Sequence, residues 1–181
     1  MLKRYIKNSA LRILIEWFLA IAIAFVLFIL VDSFLLKSSR IDGASMEPFY
    51  FHNDRVIVNR MAFLFREPYY GDVIVFPFDG DTTRHYIKRI AGLPGDTIDF
   101  RNGFIYVNGI VLGGYYPQAP VFIGNVSFPF VLDDDYFFVL GDNREISLDS
   151  RFVEVGNVHR DDIMGRIIFR WFPFERFGTV N

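Results

Sequence analysis

The sequence predicts a mainly β protein held behind a single N-terminal transmembrane helix. Three observations lead there. Mean hydropathy is +0.26 with 52% hydrophobic residues, more apolar than a water-soluble domain needs. One uninterrupted apolar run, Trp17 to Val31, accounts for much of that excess. Beyond residue 40 no long stretch shows helical periodicity; short β-branched runs bounded by Gly, Pro and Asn-Gly take its place.

The chain divides into a basic segment, residues 1–12, an anchor, residues 13–36, and an exported domain, residues 37–181. Allowing one acid near each end, Glu16 and Asp32, the anchor runs from Ile13 to Leu36. About 20 helical residues cross a hydrocarbon core, and a charge near an interface costs less than one at the centre. Lys3, Arg4, Lys7 and Arg12 precede the run, so the positive-inside rule keeps the N-terminus cytoplasmic and exports everything after Leu36. A cleaved signal peptide also begins basic and then apolar, but Phe34-Leu35-Leu36-Lys37 offers no small-x-small site, which favours retention. The run is apolar all round, unlike the one-striped helix of a soluble core.

Lys37 to Arg40 reads as a short polar linker. Strands are then expected at residues 55–60, 72–76 and 84–91, followed by 96–100 and 103–108, which flank the Asn102-Gly103 turn signal. A second Asn-Gly follows at Asn108-Gly109. Gly113 to Asp135 reads as a loop or loose hairpin excursion, and strands at 136–140 and 163–171 complete the set. Three aromatic clusters, residues 49–51, 63–65 and 171–174, stand beside turn residues and suit either the core or a bilayer interface.

Composition excludes several function classes. A net charge of -2 and a pI near 5.9 speak against a nucleic-acid binder driven by global basic charge. Cysteine is absent, so disulfides, thiolate metal sites and a Cys nucleophile are all ruled out. Asp133-Asp134-Asp135 and Asp161-Asp162 read as solvated loops rather than metal ligands, and Asn125-Val126-Ser127 as a chance sequon. No cofactor is expected.

Three stretches carry chemistry. In Gly43-Ala44-Ser45-Met46-Glu47-Pro48, Ser45 lies in a turn that can fix and expose a hydroxyl. In Tyr86-Ile87-Lys88-Arg89-Ile90, followed by Gly92-Leu93-Pro94-Gly95-Asp96, alternation sets Lys88 on the face of Tyr86 and Ile90, opposite Ile87 and Arg89. Burial there would lower the amine far enough to make it a general base; a lysine that snorkels to water would not serve. In Gly141-Asp142-Asn143-Arg144 through Ser147-Leu148-Asp149-Ser150-Arg151, Asp149 and Arg151 suit an ion pair, Asn143 a turn, and Ser147 the orientation of a neutral amine.

In this order and behind this anchor, the stretches resemble the bacterial type I signal peptidases (leader peptidases). That family joins Ser-Met-x-Pro, Lys-Arg-x-x-Gly-x-Pro-Gly-Asp and Gly-Asp-Asn-Arg-x-x-Ser-x-Asp-Ser-Arg, all uninterrupted here. The likeness covers the anchor and most of residues 40–171. It implies a compact catalytic domain of coiled antiparallel β-sheets, with Ser45 as nucleophile, Lys88 as general base and Ser147 hydrogen-bonded to the lysine. Asp149 and Arg151 would support the site. Gly43 stands where some members carry a Ser that assists the oxyanion hole, so stabilisation would fall more on backbone N–H groups, that of Ser45 included. Pro48-Phe49-Tyr50 replaces the common Pro-Thr-Leu. The implied activity is serine endopeptidase removal of signal peptides through an acyl-enzyme, with no metal or cofactor. Its implied partners are preproteins with small residues before the cut and membrane lipid, not nucleic acid. The resemblance also implies that the membrane crossed is the plasma (inner) membrane. An extended substrate would pair near Asp42-Gly43-Ala44 and near Asp81 to Ile87.

Three rivals remain for the structure to meet. A Ser-His-Asp hydrolase would draw on His52, His85 or His159, of which only His85 lies near a motif, on the strand face opposite Lys88. Self-cleaving repressors also use a Ser-Lys pair, but behind a DNA-binding segment rather than an anchor. A non-enzymatic, membrane-anchored β binding module of the cell envelope would leave Ser45 and Lys88 expendable.

Overall fold

The computed structural model describes residues 9–30, 36–78, 81–113 and 122–179. They fall into two compact units, Met1–Leu36 and Lys37–Asn181.

The first unit contains helix α1, Ser9–Leu30. Arg12 and Glu16 pair across one helical turn at 3.0 Å, so the one acid in the helix is partnered. Beyond them, large apolar side chains including Trp17, Phe18, Leu19, Ile21, Ile23 and Val26 are exposed. Side chains are described without break only over residues 11–26, and among the described residues no helix is long and apolar enough to cross a membrane. The rest of the expected span, residues 31–35, lies outside the described residues.

The second unit is built of strands β1 (Leu36–Arg40), β2 (Arg55–Asn59), β3 (Val73–Phe78), β4 (Asp81–Gly92), β5 (Thr97–Arg101), β6 (Phe104–Val107), β7 (Ile110–Val111), β8 (Phe130–Val131), β9 (Tyr136–Leu140), β10 (Val158–His159) and β11 (Gly165–Phe172). Among the described residues they form a seven-stranded sheet ordered β1-β2-β11-β3-β4-β9-β10 and a four-stranded sheet ordered β7-β6-β5-β8. The mainly β expectation holds, and the registers of β2 to β11 are antiparallel. Both Asn-Gly signals close two-residue hairpins, with Arg101 opposite Phe104 and Val107 opposite Ile110. Asn102, Gly103, Asn108 and Gly109 all take positive φ, which the right-handed twist of a tight hairpin demands.

One expectation is corrected. Lys37 to Arg40 is not a linker but most of strand β1, at the sheet edge beside β2. Its polar sequence hid it, because an edge strand buries little. The excursion from Gly113 to Asp135 contributes β8, and residues 114–121 within it lie outside the described residues.

Strand β3 explains the core. Val73 and Val75 face a cluster with Ile41, Met46, Tyr50, Val56, Val58 and Ile167. Ile74 and Phe76 face another with Ile90, Phe137, Val139 and Val158. A strand buried on both faces reads as a continuous apolar run, and Val73-Ile74-Val75-Phe76 does. A third cluster, with Ala91, Ile98, Ile105, Leu132 and Phe138, joins the two sheets. The aromatic clusters divide: Tyr50 is buried, while Phe65 (85% exposed) and Phe174 (72% exposed) face outward.

Candidate active site

Ser45 opens a run of turns between β1 and β2. Ala44 O accepts from Glu47 N, and Met46 O accepts from the amides of Phe49 and Tyr50. Met46 is driven into the core, which leaves the neighbouring Ser45 half-buried at the surface of the turn. Asp54 fastens the turn from behind. It is fully buried, accepts from Phe51 N at 3.0 Å, and pairs with Arg170 and Arg176. Arg170 also donates to Phe49 O at 2.8 Å.

Lys88 lies in β4 opposite Ile74, two residues from Phe76's partner Tyr86. The alternation read from the sequence is therefore the one observed. Lys88 is 2% exposed, and its Nζ is 2.9 Å from Ser45 Oγ. The ammonium also stands 5.1 Å above the Tyr86 ring. Burial pulls the amine down to about 8; Asp149 and Asp142 resist that shift and Arg151 adds to it. The acids do not restore the ordinary value because each is already matched by an arginine.

Those matches form the wall behind the pair. Arg151 Nε donates to Asp149 Oδ1 at 2.8 Å and Nη2 to Oδ2 at 3.0 Å, in a pair almost without exposure. Arg151 also donates to the carbonyls of Phe122, Arg144 and Ser147, while Asp149 accepts from Gly141 N. Arg89 and Asp142 repeat the fork, at 2.8 Å on both arms. A forked Arg–carboxylate pair fixes orientation as well as charge. The loop after β9 also reaches the serine itself, since Asn143 N donates to Ser45 O at 3.0 Å.

The structure brings Gly43, Ser45, Lys88, Ser147, Asp149 and Arg151 into this region. Ser147 is 3% exposed, and among the described residues its Oγ has no hydrogen-bond partner, so no bond to Lys88 is made. Gly43 directs its N–H to His52 Nδ1 at 3.2 Å rather than into the cleft. Among the described residues no histidine bonds Ser45: His52 Nδ1 accepts from Gly43 N, and His159 Nδ1 accepts from Asp161 N. Sequence reasoning missed the Arg89–Asp142 fork and the Asp54 hub. It also missed Gly141, where a Cβ would lie 2.1 Å from Ser147 Oγ and 2.5 Å from Ser45 O. The only hint was that Arg89, Gly141 and Asp142 fall inside the motifs.

A cleft of about 500 Å³ opens at Ser45 and Lys88. Residues 39–46 form one wall and residues 85–88 the other, with Ile146 and Leu148 at the rim. Strand β9 pairs with β4 only from Arg89 onward, so the β4 edge at residues 85–88 carries no strand on that side among the described residues.

The family model for signal peptidase, peptidase S26, matches residues 14–172. A probable signal peptidase I-2 from Synechocystis is 38% identical over 165 residues, covering 87% of this chain and 73% of that protein. Signal peptidase IB from Staphylococcus aureus is 33% identical over 180 residues, covering 91% of this chain and 92% of its own length. A solved signal peptidase I from Enterococcus faecalis is 27% identical, with a TM-score of 0.43 over 56% of this chain and 97% of that one.

Proposed function

The chain belongs to the signal peptidase family, peptidase S26, of the type I kind, and from that premise we propose that it is a membrane-anchored serine endopeptidase that removes N-terminal signal peptides from exported preproteins, with Ser45 as nucleophile and Lys88 as general base. The observation that carries this reading is the 2.9 Å contact between Lys88 Nζ and Ser45 Oγ in a setting that brings the amine to about 8.

The chemistry follows from that contact. Neutral Lys88 takes the Ser45 proton as Oγ attacks the scissile carbonyl. The Ser45 N–H, which the turn does not use, donates to the developing oxyanion. Gly43 contributes its backbone conformation, because its own N–H is engaged by His52. The Lys88 ammonium then protonates the leaving amine, and the acyl-enzyme forms as the C–N bond breaks. Lys88, again neutral, takes a proton from water, whose oxygen attacks the acyl carbon; the ammonium returns that proton to Ser45 Oγ as the ester C–O bond breaks, freeing the signal peptide's carboxyl group, which ionises in water. Asp149 and Arg151 hold the loop that backs the lysine. Ser147 lies buried in that loop, and its hydroxyl is the group we assign to orienting the amine.

The segment before the cut enters extended, adding to the open β4 edge opposite residues 42–44. In this reading the small residues before the cut lie between residues 39–46 and 85–88, which line the cleft. Anchoring through residues 13–36 belongs to the same proposal. It rests on the apolar run through Val31 and the basic residues ahead of it, and it confines enzyme and signal peptide to one membrane.

The test is cleavage of a preprotein bearing an Ala-x-Ala site, in lipid, by wild type, Ser45→Ala and Lys88→Ala. Wild type is expected to cut after that site, and both folded variants to lose activity by at least about a thousandfold. Equal activity in all three would overturn the Ser45–Lys88 assignment, and a folded wild type inactive against several preproteins would leave a β binding module as the better reading.

A further inference from the structure

Gly43 stands two residues before Ser45 with φ of +96°, and a Cβ built there meets nothing within 4 Å. Space does not call for glycine at this position; the left-handed backbone does. The chain on either side is fixed by its own bonds. Before it, Ile41 N donates to Asp54 O at 2.8 Å and Asn53 N to Ile41 O at 2.9 Å, while the Arg40 guanidinium grips Asn53 Oδ1. After it, the turn bonds of Glu47, Phe49 and Tyr50 begin. Between these, among the described residues, Gly43 has one hydrogen bond, its N–H to His52 Nδ1 at 3.2 Å.

In this contact His52 Nδ1 is the acceptor and the Gly43 N–H the donor. Asp42 Oδ1 stands 3.3 Å from the same nitrogen. His52 is well placed to hold the glycine, because its neighbour Asp54 is the buried hub tied to Arg170 and Arg176.

We propose that His52 is a positioning residue for the reaction: by accepting the Gly43 N–H, it sets the peptide that leads into Ser45 and so aims the Ser45 hydroxyl and N–H into the cleft. It acts through Gly43 and not as a base, since its Nδ1 is already spent. This rests on the reading of Ser45 as nucleophile.

The test uses the full chain in detergent with His52→Ala, His52→Phe and His52→Asn. Phe keeps a ring without an acceptor, whereas Asn places an amide oxygen where Nδ1 stood. Two quantities are read: hydrogen exchange at the Gly43 amide, and kcat and KM on a preprotein with an Ala-x-Ala site. Ala and Phe are expected to speed Gly43 exchange about tenfold and to lower kcat about tenfold with KM unchanged, the loss of one hydrogen bond. Asn is expected to restore both. Unchanged exchange in the Phe variant, faster exchange with wild-type kcat, or an Asn variant as poor as Phe would each overturn the proposal. If wild type cuts no preprotein, the nucleophile reading fails and the catalytic half of this proposal with it; the exchange rates still decide whether His52 holds Gly43.

Discussion

At Lys88 the proposed reaction and part of the stability turn on a single side chain. Its amine must be neutral to accept a proton, and burial brings it to about 8. The value of kcat/KM should therefore rise about tenfold per pH unit below 8 and level off above it. A flat profile between pH 6 and 9, with chemistry shown to limit turnover, would remove Lys88 as the base. Burial has a second effect. The folded amine titrates below its ordinary value of 10.5, so the unfolded chain holds the extra proton between about 8 and 10.5. Stability then rises with pH across that window, and the cost of burial is fully present below it. Lys88→Met should be inactive yet more stable at pH 7, by on the order of 2–3 kcal/mol, with the gain fading toward pH 10. Thermal melts at pH 7 and 10 check this. The substitution strands no acid, because Asp149 keeps Arg151 and Asp142 keeps Arg89.

At the scale of elements, β4 supplies the lysine, the turn before β2 supplies the serine, and the loop after β9 clamps the two together. Gly141 is where that clamp is tightest. Gly141→Ala should push Ser147 and the Ser45 carbonyl apart and lower kcat by about a hundredfold, since a displacement near 1 Å is costly to a reacting pair. Its lysine should still titrate, so a pH profile of the same shape at a lower plateau is the expected record. A variant with wild-type kcat would mean that the loop absorbs the methyl elsewhere. What the sequence reveals at this scale follows the range of each interaction. The Asn102-Gly103 hairpin was legible because two residues determine the turn. The face of Lys88 was legible because alternation is local. The Arg89–Asp142 fork joins residues 53 positions apart, and nothing in either segment names the other. Strand β1 was misread because Lys37 to Arg40 is polar and its edge position buries only Leu36 and Ser39 in part. Asp54, one acid among many in the sequence, became a hub only once Arg170 and Arg176 were folded against it.

At the scale of the whole molecule, the proposed anchor makes a directional prediction. In sealed vesicles of known orientation, a tag ahead of Met1 should be cut by protease from the cytoplasmic side only, and one after Asn181 from the opposite side only. Both tags cut from one side would exclude a single span, whatever the activity. The open edge of β4 has a further consequence for cargo. A strand edge bonds a partner only along bare, stretched backbone, so a cut site that has coiled into helix or sunk into a folded body offers it nothing to grasp. Recognition would thus read tempo as much as spelling: a preprotein that folds across its own junction before reaching the enzyme keeps its leader, however well the residues around the junction suit the cleft.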